Sequence, residues 1–297
     1  MWIFPSSRGR RDQLIAHAMT GPVVALLLVV VVLPEIAALV LSFERYTYGQ
    51  APTWIGIANY VALWNDPAFW NALRNNVLFV VSAVLLELGA GLAMAVVLAQ
   101  GFPLQRLWVA LYLAPYAVSP VVGVITWKYM LEPDVGLVNY ALGRLGLGSP
   151  GWFVDPWLAF SAVVVIEVWR YAPFVAMVCY PAILSLPPDY FDAARVDGAG
   201  PWQTFTRVTL PLIRPALLVA VVFRVIFAVR TFETIWILTK GGPVGATEVL
   251  ATFLYQQGFR YWELGAAAAT AWVMLAVTTL AAAWYLLSLR RAAGDAG

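Results

Sequence analysis

Long apolar stretches, separated by short polar segments, dominate the pattern along the chain. A helix needs about 20 mostly apolar residues to cross the hydrocarbon core of a bilayer. Six stretches reach this length: residues 17–43, 72–100, 104–130, 156–184, 212–238 and 262–289. The first is longer than the apolar core of about 7–15 residues in a signal peptide, so we interpret it as a retained helix. The pattern predicts an all-α membrane protein with six transmembrane helices, forming a single domain over residues 1–297.

The composition indicates that lipid surrounds these helices. Hydrophobic residues make up 62% of the chain and charged residues only 11%, whereas soluble domains carry about 25% charged residues. The mean hydropathy is +0.79. The net charge is +2 and the basic residues are scattered, which argues against nucleic acid as a partner. We therefore expect a multi-pass protein of the cell inner (plasma) membrane.

Few residues suit catalysis or metal binding. Cys179 is the single cysteine and His17 the single histidine. An internal disulfide is therefore excluded, and a metal site or a Ser-His-Asp triad is not expected. We predict no catalytic residue and no metal ligand.

The basic residues of the loops predict the orientation of the chain. With six spans both termini lie on one side, and Lys and Arg are enriched in cytoplasmic loops. The side of the termini holds nine such residues: Arg8, Arg10, Arg11, Arg106, Arg195, Arg207, Arg214, Arg290 and Arg291. The opposite side holds six: Arg45, Arg74, Lys128, Arg144, Lys240 and Arg260. We therefore predict cytoplasmic N- and C-termini.

The connection between the fourth and fifth spans, residues 187–211, is long and polar. Two prolines end the preceding helix. Asp189 is then expected to be an N-cap that pairs with Asp192. Glycines separate the short helix that follows from a second short helix. The segment is either a docking element on the cytoplasmic face or an ordinary amphipathic segment at the membrane interface.

This segment resembles the EAA loop of ABC-importer permeases. The family pattern is Glu-Ala-Ala, two variable residues, Asp-Gly-Ala, a spacer, Phe, and later Leu-Pro-x-x-x-Pro. This chain has Asp192-Ala193-Ala194, Asp197-Gly198-Ala199, Phe205, Leu210-Pro211 and Pro215. In that family the loop forms a coupling helix that docks on the ATPase. The resemblance assigns this contact to Asp192, Ala193, Ala194, Arg195, Asp197, Gly198 and Ala199, with Asp192 shorter than the usual Glu.

Segments outside the loop extend the resemblance to the maltose-, trehalose- and glycerol-phosphate-type branch. They are Gly56-Ile57-Ala58-Asn59-Tyr60 and Leu238-Thr239-Lys240-Gly241-Gly242-Pro243. The resemblance implies a type I ABC importer. Its other parts would be a second homologous permease, two ATPase subunits, and an external sugar-binding lipoprotein or periplasmic binding protein. This chain has no Gly-x-x-x-x-Gly-Lys-Ser/Thr phosphate loop, so Mg-ATP is expected on the ATPase and no cofactor on this subunit.

The resemblance favours a sugar as the solute, with a disaccharide such as trehalose or maltose first and glycerol 3-phosphate as an alternative. A secondary transporter would also combine six helices with interior charges. We find no internal repeat in the sequence, and that class gives no reason for the kinked loop at residues 187–211. An ABC importer permease is therefore the favoured interpretation.

Charged and aromatic residues within the spans are candidates for the substrate pathway. Ionisable side chains in a membrane are costly and usually face the bundle interior; here they are Glu35, Glu87, Glu167, Arg170, Arg224, Arg230 and Glu233. They either form internal ion pairs or hydrogen-bond sugar hydroxyls, and Arg230 and Glu233 are spaced to pair on one helix. Aromatic rings can stack on pyranose rings, although most pack in the core or at the interface. The predicted pathway is Trp127, Trp169, Arg170, Tyr171, Phe174, Arg224, Arg230, Glu233 and Trp236.

Overall fold

The side chains of residues 17–37 in the first span are all exposed. A computed structural model of the chain describes the backbone of residues 9–294 and the side chains of residues 9, 15 and 17–283. Helix α1 (Arg10–Leu27), a π-helical turn (Leu28–Val32) and α2 (Leu33–Ser42) follow one another directly. No side chain in the most apolar window of this span is buried within the chain, so its surface is left for lipid or another subunit. Arg8, used in the predicted orientation, lies outside the described residues.

A small antiparallel hairpin departs from the all-helical expectation. Strand β1 (Glu44–Arg45) pairs with β2 (Thr53–Trp54), with Glu44 opposite Trp54. Helix α3 (Ala58–Asn65) follows. Helix α4 (Pro67–Ala99), with 33 residues, is the longest helix among the described residues. Asp66 caps α4 by accepting a hydrogen bond from the Ala68 amide at 2.8 Å.

The third predicted span is bent. Residues 104–130 were expected to form one helix, but α5 (Gln105–Ala117) and α6 (Pro120–Met130) meet at 96°. Val118 between them is extended, at φ −72° and ψ 141°. The cause is local, because Pro115 and Pro120 lack the amide hydrogens a continuous helix needs and the residue before a proline avoids helical angles.

The fourth span is the centre of the bundle. Helix α7 (Leu137–Arg144) lies in the loop before it, and α8 (Pro156–Leu184) packs along α4. The contact is close at Gly91 of α4, where an added Cβ would lie 2.5 Å from the Ala172 carbonyl oxygen. Phe79 and Ala83 of α4 and Val163 and Ile166 of α8 are buried together in the core.

The connection after the fourth span forms the two short helices expected there. They are α9 (Pro188–Val196) and α10 (Pro201–Thr204), followed by a π-helical turn (Phe205–Thr209) and α11 (Leu210–Leu212). Helix α12 (Arg214–Val229) then enters the bundle at 73° to the preceding segment. The chain ends with α13 (Glu233–Leu238), α14 (Leu250–Tyr255), a π-helical turn (Gln256–Arg260) and α15 (Leu264–Gly294).

The predicted fifth helix over residues 212–238 is wrong as a continuous element. Helix α12 ends at Val229, and α13 starts only at Glu233. The backbone tightens at the end of α12. There the Arg230 amide donates to the Phe227 carbonyl and the Thr231 amide donates to the Ala228 carbonyl, each three residues earlier rather than four.

The described residues form a membrane-protein fold of helices. Four helices are long and apolar enough to cross a bilayer, and two bent helix pairs bring the number to six if each counts as one span. The first bent pair is the third predicted span, and the second joins residues 201–212 of the connection to α12, which begins the fifth predicted span.

Candidate functional site

A buried charge cluster joins three of the long helices. Arg224 lies on α12, Glu87 on α4 and Glu167 on α8. Arg224 Nε donates to Glu87 Oε2 at 2.6 Å, and Nη2 donates to Glu87 Oε1 at 2.7 Å. Nη2 also lies 3.4 Å from Glu167 Oε1, and all three side chains are at most 1% exposed. This two-point contact is a strong arginine–carboxylate geometry, so the cluster ties α4, α8 and α12 together.

The break between α12 and α13 supplies further partners for Glu167. Thr231 Oγ1 donates to Glu167 Oε1 at 3.2 Å, and Thr234 Oγ1 donates to Glu167 Oε2 at 2.8 Å. A buried carboxylate is costly unless hydrogen bonds satisfy it. The interruption of the helix therefore serves the cluster, since it brings two hydroxyls to one carboxylate.

A cavity of about 430 Å³ lies between the cluster and the bend of α5 and α6. Its wall combines aromatic rings, the bend itself and two arginines. The lining residues are Tyr116, Ala117, Val118, Ser119, Pro120, Arg170, Tyr171, Phe174, Arg224 and Phe227. The volume falls in the range of about 300–1,000 Å³ typical of small-molecule sites.

Two arginine nitrogens at this cavity have no hydrogen-bond partner among the described residues. They are Arg170 Nε and Arg224 Nη1. Arg170 is buried, and none of the ion pairs within 4 Å in the described part of the chain involves it. The Tyr171 ring centroid is 4.9 Å from the Arg170 guanidinium and 3.7 Å from that of Arg224. Because an unpaired buried donor is costly, the cavity is suited to a ligand with hydroxyl or acidic oxygens.

The structure separates the predicted pathway residues into groups. Arg170, Tyr171, Phe174 and Arg224 line the cavity just described. Trp127 and Trp169 contact each other edge to face at 5.6 Å. Neither of these tryptophans lines the cavity. Trp236 stacks on Phe232 at 5.6 Å and 15°, and its ring also packs on Tyr255.

The predicted ion pair between Arg230 and Glu233 is wrong. The break after α12 places them on either side of a non-helical segment, and no contact within 4 Å joins their charged groups in the described part of the chain. Both are exposed. Arg230 instead lines a second cavity of about 580 Å³, together with Glu35 of α2 and residues of α15.

The connection of residues 187–211, which we call the coupling segment after its resemblance to the EAA loop, has the geometry of a rigid, exposed turn. Asp192 pairs with Arg195 at 2.7 Å on the surface of α9, whereas Ala194 is buried beneath them. Gly198 has φ +73°, and the Ala199 amide bonds to the Ala194 carbonyl, which ends α9 in a Schellman motif. Ala193 and Asp197 are exposed beside them.

The predicted N-cap at Asp189 is wrong. Pro187 is the cap residue of α9, and no side chain caps the helix. Asp189 lies in the first turn instead, where its charge interacts favourably with the helix dipole. The helix starts two residues earlier than predicted, because proline suits the first helical positions.

Comparison with known proteins identifies the family of this chain. Residues 87–294 match the model of the family described as "Binding-protein-dependent transport system inner membrane component". The chain belongs to this family. The matched region contains the charge cluster, the cavity residues and the coupling segment.

Similar relatives of this permease are sugar transporters. It is 32% identical over 256 residues to the trehalose/maltose transport system permease protein MalF of Thermococcus litoralis, which covers 86% of this chain and 85% of that one. It is also 32% identical over 281 residues to the sulfoquinovosyl glycerol transport system permease protein SmoG of Agrobacterium fabrum, covering 94% and 91%.

The fold agrees with these sequence relationships. A chain from the crystal structure of a bacterial ABC transporter involved in the import of the acidic polysaccharide alginate matches with a TM-score of 0.84 and 25% identity. The match covers 95% of this chain and 96% of that one. The protein is therefore a non-catalytic permease subunit of an ABC sugar importer of the type I fold, and ATP hydrolysis belongs to a partner.

Sequence reasoning missed one residue of the permease's cavity and several contacts of its charge cluster. Tyr116 was not considered, although Pro115 beside it marks the bend that exposes it. Thr231 and Thr234 gave no signal, because isolated threonines in an apolar stretch usually bond to their own helix. Glu87 was identified as an interior charge, but no pattern in the sequence indicated its partner.

Proposed function

We propose that this permease imports a disaccharide, such as trehalose or maltose, through a path that includes the cavity beside Arg170 and Arg224. The observation that carries the proposal is the composition of that cavity. Aromatic faces of Tyr116, Tyr171 and Phe174 can stack on pyranose rings, and unpaired arginine N–H groups can bind hydroxyls. The volume of about 430 Å³ suits a solute of this size.

The proposal includes the partners and the orientation. The permease pairs with a second homologous permease, and the termini and residues 187–211 face the cytoplasm. Asp192 to Ala199 of the segment dock on one of two ATPase subunits, which bind Mg-ATP. An external sugar-binding protein, either a periplasmic protein or a lipoprotein, delivers the solute. Residues 1–297 act as a single permease domain in this arrangement, with membrane lipid around it.

The other residues predicted for the pathway lie outside this cavity. Trp127, Trp169, Arg230, Glu233 and Trp236 do not line the cavity of Arg170 and Arg224. Arg230 and Glu233 are exposed in this chain, so they reach the solute only if the path continues along the surface shared with the second permease.

A second candidate solute is glycerol 3-phosphate. The specific observation that favours it is Arg170, which is buried and has no acidic partner in the described residues. A phosphate would supply the missing charge through a two-point contact. The neutral disaccharide remains the first candidate, because Glu87 already compensates the charge of Arg224, one of the two arginines at the cavity.

The test is the ATPase rate of the complete transporter in lipid membranes, with its binding protein added empty or loaded with trehalose, maltose or glycerol 3-phosphate. We expect stimulation by a disaccharide. Tyr171→Ala should lower sugar transport, whereas Tyr140→Ala, an exposed tyrosine on α7 outside the cavity, should not. Stimulation by glycerol 3-phosphate alone would support the second candidate. Transport by this chain without ATPase and binding protein would contradict both.

A further inference from the structure

Two opposite charges in the membrane spans lie on one cavity without contacting each other. The cavity, of about 580 Å³, lies between α2, the end of α12 and α15. Glu35 and Arg230 both line it, both are exposed, and neither belongs to an ion pair within 4 Å in the described part of the chain. A charged side chain in a membrane is costly and is normally met by a partner. A ligand that carries both a cation and an anion would therefore match this cavity.

The remainder of the cavity wall is largely apolar. Most of it comes from one face of α15, between Ala271 and Ala283. Two hydroxyl side chains, Thr278 and Thr279, lie on this face, and the Thr278 hydroxyl already donates to the Met274 carbonyl at 2.7 Å. A wall of this kind favours hydrocarbon over water, because water needs two or more polar partners to be held.

A second, strongly apolar cavity of about 260 Å³ adjoins the first. Ala282 lines both cavities, and the second lies between α4, α12 and α15. Seven of its ten lining residues are valines. Its polar member, Asn76, already accepts a hydrogen bond from the Leu250 amide at 3.3 Å. The charged cavity therefore continues into a space suited to a hydrocarbon chain.

The charges lie toward one membrane surface and the apolar walls lead away from it. Helices α2 and α15 run antiparallel, since the Gly265 amide at the start of α15 bonds to the Tyr46 carbonyl just after α2. Glu35 is seven residues from the end of α2, about 10 Å at 1.5 Å per residue. Ala283, at the far end of the cavity, is about 28 Å from the start of α15. Because the head-group layer is roughly 5–7 Å thick on each side, the charges lie just beneath it, which is the polarity of a phospholipid.

We propose that the two cavities hold a zwitterionic phospholipid with a primary ammonium in its head group, of the phosphatidylethanolamine class. The Arg230 guanidinium binds its phosphate through a two-point contact. The Glu35 carboxylate accepts hydrogen bonds from its ammonium. A lipid with a trimethylated amine cannot donate these bonds, and an anionic lipid leaves Glu35 without a cation. The site is independent of the transported solute.

The experiment counts the phospholipids that the complete transporter retains. The transporter is reconstituted in membranes with equal amounts of phosphatidylethanolamine and phosphatidylcholine of the same acyl chains, extracted in detergent, and analysed by native mass spectrometry. We expect wild type to retain phosphatidylethanolamine about tenfold more than phosphatidylcholine, as for one charge-assisted hydrogen bond. Glu35→Gln should remove most of this preference. Arg230→Gln should lower retention of both lipids, because both carry the phosphate.

Glu233→Gln is the matched control. Glu233 is an exposed carboxylate that lines neither cavity, and its replacement should leave the wild-type preference unchanged. Equal retention of the two lipids by wild type would overturn the proposal, as would a wild-type preference in Glu35→Gln. Loss of the second permease from the purified Glu35→Gln or Arg230→Gln complex would also overturn it, because the cavity would then belong to the contact between permeases.

Discussion

Replacement of Glu87 by leucine should be among the most destabilising single changes in this permease. The change leaves the Arg224 guanidinium buried without its contacts of 2.6 and 2.7 Å, and only Glu167 remains, at 3.4 Å. Removing one partner of a buried ion pair costs about 3–5 kcal/mol. At about 1.4 kcal/mol for each tenfold step, the ratio of folded to unfolded protein should fall roughly 100-fold or more.

The second change in the test removes the unpaired charge as well. Arg224→Met added to Glu87→Leu leaves no buried cation at this position, and Glu167 keeps its hydrogen bonds from Thr231 and Thr234. The double variant should therefore be more stable than Glu87→Leu alone, although it carries one more substitution. This coupling separates loss of an ion pair from a simple packing defect.

Unfolding in detergent by urea or heat, followed by tryptophan fluorescence, ranks the variants. The expected order of stability is wild type, then the double variant, then Glu87→Leu. Glu233→Gln, which changes an exposed carboxylate outside any ion pair in the described residues, should stay within about 0.5 kcal/mol of wild type. Additive losses in the double variant, or wild-type stability of Glu87→Leu, would refute the reasoning.

Three further predictions concern other parts of the permease. Gly91→Ala should lower the melting temperature, because its Cβ would lie 2.5 Å from a carbonyl oxygen of α8, whereas Gly89→Ala meets nothing within 4 Å and should match or exceed wild type. Gly198→Val should reduce the sugar-stimulated ATPase rate several-fold, because its φ is +73°, whereas Gly198→Asn should retain most of that rate. Burial, with a smaller contribution from Asp66, raises the pKa of Glu248 above its usual value. Its contribution to stability is therefore complete below the unfolded pKa and lost as pH rises through the folded one. Glu248→Gln should melt above wild type at pH 7.5, and the difference should vanish as the pH is lowered.

The sequence predicted the spans well because length and hydropathy decide them. It did not predict the interruptions of the third and fifth spans, and only one of the two has a signal in the sequence. The bend between α5 and α6 had a signal in Pro115 and Pro120, which the hydropathy pattern concealed. The break after Val229 contains neither proline nor glycine. It depends on hydroxyls that bond to Glu167 on another helix, and such a contact is known only once the helices are packed.

The charge partners show the same limit more clearly. Spacing along one helix favoured Arg230 with Glu233, since only neighbours in sequence can be paired from a pattern. The actual partners of Arg224 lie 137 and 57 residues away, on α4 and α8. The two short helices of residues 187–211 were predicted correctly in outline, because the turn between them requires glycine at one position with positive φ.

The cluster also constrains how motion can pass through the permease. Helix α12 begins three residues after the end of the coupling segment at residue 211, and it carries Arg224. Sliding α12 past α4 or α8 would separate the buried ion pair, at a cost of about 3–5 kcal/mol. We therefore expect α4, α8 and α12 to move as one body when the coupling segment is displaced. The cavity wall formed by the bend of α5 and α6 makes no hydrogen bond to the cluster in the described residues. We therefore expect this wall to change its distance from Arg170 and Arg224 during transport.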